Sequence, residues 1–294
     1  MNSCYNYVKS FENDDILPPY TWLIIRVDGR HFGMFSKSHN FRKPNEPKAL
    51  ALANKAAEAV FREFSDITLA YGHSDEYSFL LRADSKLYNR RREKIITGIV
   101  SIFTSAYVYN WHKYFTCTLK YPPSFDGRIV SYPLIEHVKD YFRWRQVDCH
   151  VNNQYNSAFW CLVAQGKTTD QAYQILKGTD KNFKNDLLFN TFQLNYNNLP
   201  NLFKKGSTLI RKSTNLDNKA MGSETSSTTF LDNKTIESQQ EIDLKIEDYE
   251  INTLTELNAN VELVTDDIIN EEFWNAHFWV IDSTVKPPKL INNQ

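Results

Sequence analysis

The chain has 294 residues, of which 41% are apolar and 14% aromatic, so it can bury a large core and its composition is not that of a disordered protein. Its four cysteines stand apart without a CxxC pair, and the N-terminus lacks a basic, apolar leader, which argues against a paired-cysteine zinc site and against secretion. The net charge of −1 hides a basic part, with 29 Lys and Arg against 19 Asp and Glu in residues 1–212, and an acidic remainder, with 5 against 16; the basic part suits a polyanionic partner.

The first 133 residues predict the element order βαββαβ. The segment "TWLIIRVDG" is typical of a strand that ends at Asp28, and "NEPKALALANKAAEAVFREF" has the apolar stripe of an amphipathic helix. The segments "ITLAYG" and "EYSFLLR" then flank a hairpin turn at residues 73–75, a second long helix starts near Leu87, and "GRIVSYP" closes the unit as a strand. This order predicts an α+β fold with a ferredoxin-like sheet and both helices on one face.

Acidic residues from two parts of this unit are expected to meet. In such a sheet the first strand and the hairpin are central neighbours, so Asp28 should lie near Asp75 and Glu76. Alternation places Leu23 and Val27 on the helix-covered face and Asp28 on the opposite, open face. Carboxylates held close together repel unless a cation lies between them, and Mg²⁺ prefers oxygen ligands and phosphates. The pattern predicts a two-metal phosphoryl-transfer site; the alternative is a solvated hairpin turn.

The rest of the chain is predicted to be mainly helical and to pack on this unit. A helix between Tyr141 and Val163 carries the polar run "WRQVDCHVNNQYN", in which His150, Asn153 and Gln154 share one face. Amides and arginines can read RNA, although a solvated polar face remains an alternative. We expect four parts: residues 1–133; a helical part in 134–212 and 264–282; a flexible acidic insertion, 213–263; and a tail, 283–294.

Eight segments, in order along the chain, resemble those of eukaryotic tRNA-His guanylyltransferases, a 3′–5′ polymerase family. They are "IIRVDGRHFGMFS", "FRKPNE", "AYGHSDEYSFLL", "LYNRRREKI", "YPPSFDGRIVSYP", "WRQVDCHVNNQYNSAFW", "KGSTLIR" and "DIINEEFW". The resemblance implies a polymerase-palm-like βαββαβ unit that adds a guanosine to the 5′ end of tRNA-His. Three steps are implied: ATP adenylylates the 5′-monophosphate, the 3′-hydroxyl of GTP displaces AMP, and pyrophosphate is removed.

The resemblance also implies the roles of individual residues. Asp28, Asp75 and Glu76 would be the catalytic acids, and Asp28, Asp75 and the Gly29 carbonyl would hold two Mg²⁺ ions. Nucleotide binding is implied for Arg26, Gly29, Arg30, His31, Lys43, Ser74, Asp75, Asn89, Arg91, Arg92, Lys94 and Arg128. Binding of tRNA is implied for His150, Asn153, Lys184 and Asn185. A homotetramer in the cytoplasm or nucleus is also expected.

Two rival functions stay open at this point. A nucleotidyl cyclase would use the same fold and metals on GTP without needing an RNA surface. A non-catalytic RNA-binding module would present aromatic side chains on the open face of the sheet. The longest apolar stretch, residues 95–111, is interrupted by polar residues, so a buried helix is expected there and no membrane partner. The sequence does not specify how tRNA-His is selected or whether templated additions occur.

Overall fold

The computed structural model describes residues 3–12, 15–212, 257 and 260–282. Six of its segments are strands: β1 (Trp22–Arg30), β2 (Ile67–His73), β3 (Glu76–Leu81), β4 (Ser124–Tyr132), β5 (Ser207–Arg211) and β6 (Val261–Val264). They form one sheet in the order β4-β1-β3-β2-β5-β6, and neighbouring strands are antiparallel. The α+β class expected from the sequence is confirmed.

Eight α-helices are described with these strands. They are α1 (Phe32–Ser38), α2 (Pro47–Glu63), α3 (Arg92–Tyr114), α4 (Ile135–Ala164), α5 (Thr169–Leu176), α6 (Lys181–Asp186), α7 (Asn201–Lys205) and α8 (Glu271–Ala276). The start of α2 is fixed locally: Pro47 occupies its first turn, and the Glu46 side chain accepts a hydrogen bond from the Lys48 N–H. Within the described residues, no helix is long and apolar enough to cross a membrane.

One face of the sheet packs against α2 and α3. Leu23, Ile25 and Val27 of β1 are buried there with residues such as Ala56 of α2 and Ile99 of α3. These are the side chains that strand alternation assigns to the helix-covered face, so that part of the expectation is confirmed.

The opposite face was expected to be open, and this is wrong. Ile24 of β1 packs with Val138 and Phe142 of α4, and Trp274 of α8 joins the same cluster. The sheet is therefore a middle layer with helices on both sides, because α4 is long and has an apolar stripe of its own. Asp28 points toward the α4 side.

The predicted acidic insertion, residues 213–263, extends too far at its C-terminal end. Val261, Glu262 and Leu263 belong to β6, which pairs with β5 through Leu209 and Leu263. The β-branched and aliphatic residues of "VELV" complete the edge of the sheet. Residues 213–256, 258–259 and the predicted tail, 283–294, lie outside the described residues.

Candidate active site

A row of polar side chains crosses the end of the sheet. Asp28 pairs with Asp126 of β4 on one side and with Glu76 of β3 on the other, and His73 of β2 pairs with Glu76. Directly paired residues project on the same face, so these four side chains form one row. The strand register therefore brings Asp28 and Glu76 together, as the sequence predicts.

A basic pair lies one step back along the strands. Arg26 and Arg128 are paired across β1 and β4, two residues before Asp28 and two after Asp126. Arg26 Nη2 lies 3.6 Å from Asp28 Oδ2, and Arg128 Nη2 lies 3.8 Å from Asp126 Oδ1. Two of the residues assigned to nucleotide binding, Arg26 and Arg128, thus flank the acidic row.

Glu76 is held inside the protein by Arg145 of α4 and His73 of β2. Arg145 Nη1 donates hydrogen bonds to Glu76 Oε1 at 2.9 Å and Oε2 at 3.0 Å, and His73 Nε2 lies 2.9 Å from Oε1. Burial alone would raise the pKa of Glu76, but the hydrogen bonds and charges of His73 and Arg145 lower it to about 2. The negative charge of Glu76 is thus stabilised by partners within the protein.

Asp75 lies in the two-residue turn between β2 and β3, close to β1. Ser74 has a left-handed φ of 53°, which turns the chain sharply, and its Oγ donates to Asp75 Oδ1 at 3.1 Å. The Gly29 N–H donates to the Asp75 carbonyl oxygen at 3.1 Å. A β-carbon at Gly29 would stand 2.8 Å from Asp75 Oδ2 and 2.8 Å from the ring of Phe32, so the close approach of Asp75 requires a glycine there.

Asp28 and Asp75 differ from Glu76 in their electrostatic balance. Burial, followed by the charge of Glu76, raises the pKa of Asp28 despite the neighbouring Arg26. Burial also raises the pKa of Asp75, and the charge of Asp28 adds to it, although the Ser74 hydroxyl opposes the shift. The two aspartates are therefore under-compensated carboxylates, which means that the neighbouring groups of the protein do not offset the effects of burial and repulsion on their charge.

This donor set fits Mg²⁺. Within the described part of the chain, no group of three or more His, Cys, Asp or Glu is arranged to hold a metal ion. Mg²⁺ does not need such a group, because it is commonly bound through one or two carboxylates together with water and substrate phosphates. Two under-compensated carboxylates beside the Gly29 backbone meet that requirement, and a bound cation would relieve their repulsion.

Four more of the predicted nucleotide-binding residues lie near this end of β1. Arg30 ends β1, and His31, with a left-handed φ of 52°, precedes α1; both are exposed. Lys43 Nζ donates to Ser36 Oγ of α1 at 3.2 Å and lies 5.6 Å from the ring centroid of Trp160. Burial lowers the pKa of Lys43. Ser74, in the hairpin turn, is exposed beside Asp75.

The remaining predicted nucleotide-binding residues lie elsewhere. Asn89, Arg91, Arg92 and Lys94 surround the start of α3, where Arg90 donates to the Thr21 carbonyl, just before β1 begins. Seven residues of β-strand separate Thr21 from Asp28, roughly 20 Å. Arg92 is also paired with Asp15. Arg92 Nη1 also donates to the carbonyl oxygen of Ile129, which pairs with Ile25 of β1, roughly 10 Å of strand from Asp28. The segment thus lies at some distance from the acidic row, and its role in nucleotide binding stays a prediction.

The predicted RNA-binding face of α4 is largely turned inward. Asn153 is 6% exposed, and its Nδ2 donates to Tyr196 Oη at 3.1 Å. Gln154 Nε2 donates to Asn185 Oδ1 at 2.7 Å. His150 is half-buried with Nδ1 3.4 Å from Tyr196 Oη, and burial, then the charges of Lys181 and Lys204, lowers its pKa. The shared helical face is real, but its polar atoms are satisfied within the protein.

Lys184 is likewise used internally. It is 9% exposed, and its ammonium donates to the carbonyl oxygens of Thr179 at 2.7 Å and Asp180 at 3.1 Å. These two bonds use two of the three ammonium N–H donors and hold Lys184 inside the protein. Its predicted role in tRNA binding, like those of His150, Asn153 and Asn185, stays a prediction.

Sequence reasoning missed three partners in the site. Arg145 was noted as part of the polar run on α4 but not as the partner of Glu76, and Asp126 was not seen to face Asp28. The third is Asn45, just before α2, whose Nδ2 donates to Asn153 Oδ1 at 2.9 Å. The "FDG" segment, just before the predicted strand "GRIVSYP", was the available signal for Asp126. Nothing local indicated the other two contacts.

Comparison with known proteins agrees with this geometry. Residues 5–133 match the family model "tRNAHis guanylyltransferase", and residues 136–270 match "Thg1 C terminal domain". The tRNA(His) guanylyltransferase of Neurospora crassa is 44% identical over 98% of this chain and 99% of its own length. Two solved structures are similar.

The first is a tRNA(His) guanylyltransferase from Saccharomyces cerevisiae, 43% identical, with a TM-score of 0.68 over 71% of this chain and 93% of that one. The second is a bacterial tRNA(His) guanylyltransferase-like protein in complex with ATP, 27% identical, with a TM-score of 0.60 over 71% of this chain and 88% of that one. Because the family models span most of the chain and the relative aligns along nearly its whole length, the chain belongs to the tRNA(His) guanylyltransferase family, whose members are nucleotidyltransferases.

Proposed function

We propose that this protein adds a guanosine to the 5′ end of tRNA-His in three steps. The 5′-monophosphate first attacks the α-phosphorus of ATP, which releases pyrophosphate and makes AMP the leaving group of the next step. The 3′-hydroxyl of GTP then attacks the activated phosphorus and displaces AMP. Pyrophosphate is finally removed from the added nucleotide. The family supports the substrates, and the ATP bound by the bacterial relative supports the activating nucleotide.

The observation that carries the proposal is the pair of under-compensated carboxylates, Asp28 and Asp75. Both have raised pKa values at the end of a central strand, beside a glycine that admits a close backbone approach. Reactions on triphosphates need positive charge at the attacking and leaving oxygens, and in a freely solvated turn burial would not raise the pKa values of both carboxylates. The solvated-turn alternative is therefore disfavoured.

Two Mg²⁺ ions bound by Asp28, Asp75 and the Gly29 carbonyl would supply this charge to the triphosphate and the reacting oxygens. The protein's own residues orient that set. Glu76, fixed by Arg145 and His73, keeps β3 in register beside Asp28. Lys43 and Arg26 are proposed to contact phosphate oxygens, together with Arg30, His31 and Ser74 at the same end of the sheet.

The strand order β4-β1-β3-β2, with α2 and α3 on one face, supports a polymerase-palm-like catalytic unit. The α4 helix covers the face that a sheet-type RNA-binding module would use for stacking, which disfavours that alternative. We further propose that the protein is a homo-oligomer acting in the cytoplasm or nucleus, as the resemblance implies. Light scattering and imaging of tagged protein test these two points.

A transfer assay tests the proposed function. Labelled GMP should pass from GTP to 5′-monophosphorylated tRNA-His in the presence of ATP and Mg²⁺, and a second tRNA should serve as the control substrate. We expect addition to tRNA-His and none after chelation of the metal. Pyrophosphate release from GTP without any tRNA would instead support a cyclase, and tRNA binding without turnover would support a binding module.

A further inference from the structure

The segment between α1 and α2, residues 41–46, is anchored at its first residue by an aromatic stack. Phe41 is 8% exposed, and its ring stacks on those of Phe115 and Trp111 with centroids 5.1 and 6.1 Å away. Its N–H also donates to the Ser36 carbonyl at 2.9 Å. The beginning of the segment is therefore tied to the core beneath α3.

The other end of the segment is fastened to α4. Asn45 Nδ2 donates to Asn153 Oδ1 at 2.9 Å, across 108 residues of sequence. Within the segment, the Arg42 N–H donates to Glu46 Oε2 at 3.1 Å. These bonds fix both the shape of the segment and its distance from α4.

The amide of Asn153 is used at both of its ends. Its oxygen accepts from Asn45, and its nitrogen donates to Tyr196 Oη, whose hydroxyl lies 3.2 Å from the His150 carbonyl oxygen. Both Asn153 and Tyr196 are almost fully buried, at 6% and 5% exposure. An amide oriented by two partners in a buried network is a rigid support and has no donor or acceptor directed at solvent.

Lys43 lies between the two anchors. Its ammonium is placed by Ser36 and by the ring of Trp160, and Trp160 follows Asn153 by seven residues on α4. Seven residues are two helical turns, so Asn153 and Trp160 lie on the same face of α4. One face of α4 therefore contacts the segment at two points, at Lys43 itself and at Asn45.

We propose that Asn153 is a positioning residue for nucleotide binding rather than an RNA contact. It holds the 41–46 segment through Asn45, so that the Lys43 ammonium keeps its place for the triphosphate. The inference rests on the proposed function in one respect, namely that Lys43 binds a triphosphate. Asn153 thus connects α4, the helix predicted to bind tRNA, with the 41–46 segment, which contains the predicted nucleotide-binding residue Lys43.

A double-mutant cycle on Asn45→Ala and Asn153→Ala tests the proposal. The primary measurement is the Kd for GTP by equilibrium binding in the absence of tRNA, and the second is the Kd for tRNA-His in the absence of nucleotide. Each single variant should weaken GTP binding about three- to tenfold, as expected for one lost hydrogen bond. The double variant should bind GTP no more weakly than the single variants, because both remove the same contact.

Two further variants separate positioning from general damage. Asn153→Asp keeps an oxygen that can accept from Asn45, and the Tyr196 hydroxyl can turn from the His150 carbonyl to donate to the second oxygen, so GTP binding should weaken less than in Asn153→Ala. Asn152→Ala changes the exposed neighbour, whose Nδ2 donates to Asp148, and should leave GTP binding unchanged. If Asn153→Ala does not fold, Asn45→Ala alone tests whether the Asn45–Asn153 contact supports GTP binding, with Asn153→Asp as the variant that keeps the acceptor.

Additive losses in GTP binding, or a Kd for tRNA-His that rises in Asn153→Ala and not in Asn45→Ala, would overturn the positioning role. Unchanged GTP binding in both variants would do so as well. These outcomes are distinct from failure of the proposed function, which would appear as absent guanylyl transfer by the unaltered protein.

Discussion

The acidic end of β1 and the amide-rich face of α4 are both dense in polar side chains, but the two regions differ in how far the protein pairs their polar groups. Burial and neighbouring carboxylates, Glu76 beside Asp28 and Asp28 beside Asp75, raise the pKa values of Asp28 and Asp75. On α4, by contrast, Asn153 and Gln154 are buried with their amides hydrogen-bonded to other side chains. A high density of polar side chains therefore does not by itself identify a reactive site. Charged groups that their neighbours leave with shifted pKa values are the better indicator.

The same contrast exists within the acidic row. Glu76 is largely buried beside Asp28, but its partners His73 and Arg145 lower its pKa to about 2. Asp28 has a weaker partner in Arg26, 3.6 Å away. We infer that Asp28 and Asp75 do the chemistry with metal and that Glu76 supports them structurally.

The largest expected effect is the loss of GMP-transfer activity in Asp28→Ala. Loss of a metal ligand should lower GMP transfer at saturating Mg²⁺ about a thousandfold or more, equivalent to about 4 kcal/mol of transition-state stabilisation. Asp126→Asn is the matched control, since Asp126 is the cross-strand neighbour of Asp28 and its side chain is 51% exposed. We expect the control to retain activity within a few-fold. Near-normal turnover by Asp28→Ala would show that Asp28 is not a metal ligand.

The next effect is on stability and comes from Glu76→Gln. The pKa of Glu76 falls from its usual 4.5 to about 2 on folding, so Glu76 stabilises the protein above pH 4.5, and this contribution is lost as the pH falls from 4.5 to about 2. The shift corresponds to about 3 kcal/mol. Denaturant unfolding at pH 7 and pH 3 should show a less stable variant at pH 7 and a smaller acid-induced loss.

Glu272→Gln, at an exposed position of α8, is the control for that experiment and should follow the unaltered protein. An identical acid-induced loss in Glu76→Gln and the unaltered protein would mean that the Arg145 and His73 pairing does not stabilise the fold.

Gly29→Ala should have an intermediate effect on activity. The new β-carbon would meet Asp75 Oδ2 and Phe32 at 2.8 Å, so Asp75 must move away from β1. We expect a ten- to hundredfold loss of kcat, about 1.4 to 2.7 kcal/mol. Gly33→Ala, where a β-carbon meets nothing within 4 Å, is the matched control. Equal activity in the two variants would show that the position of Asp75 is not critical.

The smallest expected effect concerns Lys184→Met. Because the Lys184 ammonium bonds the carbonyls of Thr179 and Asp180, its loss should lower the free energy of unfolding by about 1 to 3 kcal/mol. The salt dependence of tRNA-His binding should not change. The loss of a phosphate contact reduces, by about one, the slope of the logarithm of the binding constant against the logarithm of salt concentration. Such a reduction in Lys184→Met would show instead that Lys184 binds RNA. Lys181→Met, at an exposed position, controls for charge.

Local sequence patterns predicted much of the fold and the centre of the site. Strand alternation assigned Leu23, Ile25 and Val27 to the helix-covered face, and the acidic hairpin pointed to Asp28, Asp75 and Glu76. The patterns did not predict that α4 covers the other face, because an apolar stripe does not specify its partner. The contacts Arg145–Glu76 and Asn45–Asn153 span 69 and 108 residues and left no local signal.

The unequal roles of Asp75 and Glu76 are tested most directly by a Mn²⁺ titration followed by electron paramagnetic resonance, with a non-hydrolysable GTP analogue present. The unaltered protein, Asp75→Asn and Glu76→Gln would be compared under the same conditions. We predict that Asp75→Asn loses at least one bound ion, whereas Glu76→Gln binds Mn²⁺ in the same number as the unaltered protein. Full occupancy in Asp75→Asn together with loss in Glu76→Gln would contradict the assignment and make Glu76 the metal ligand.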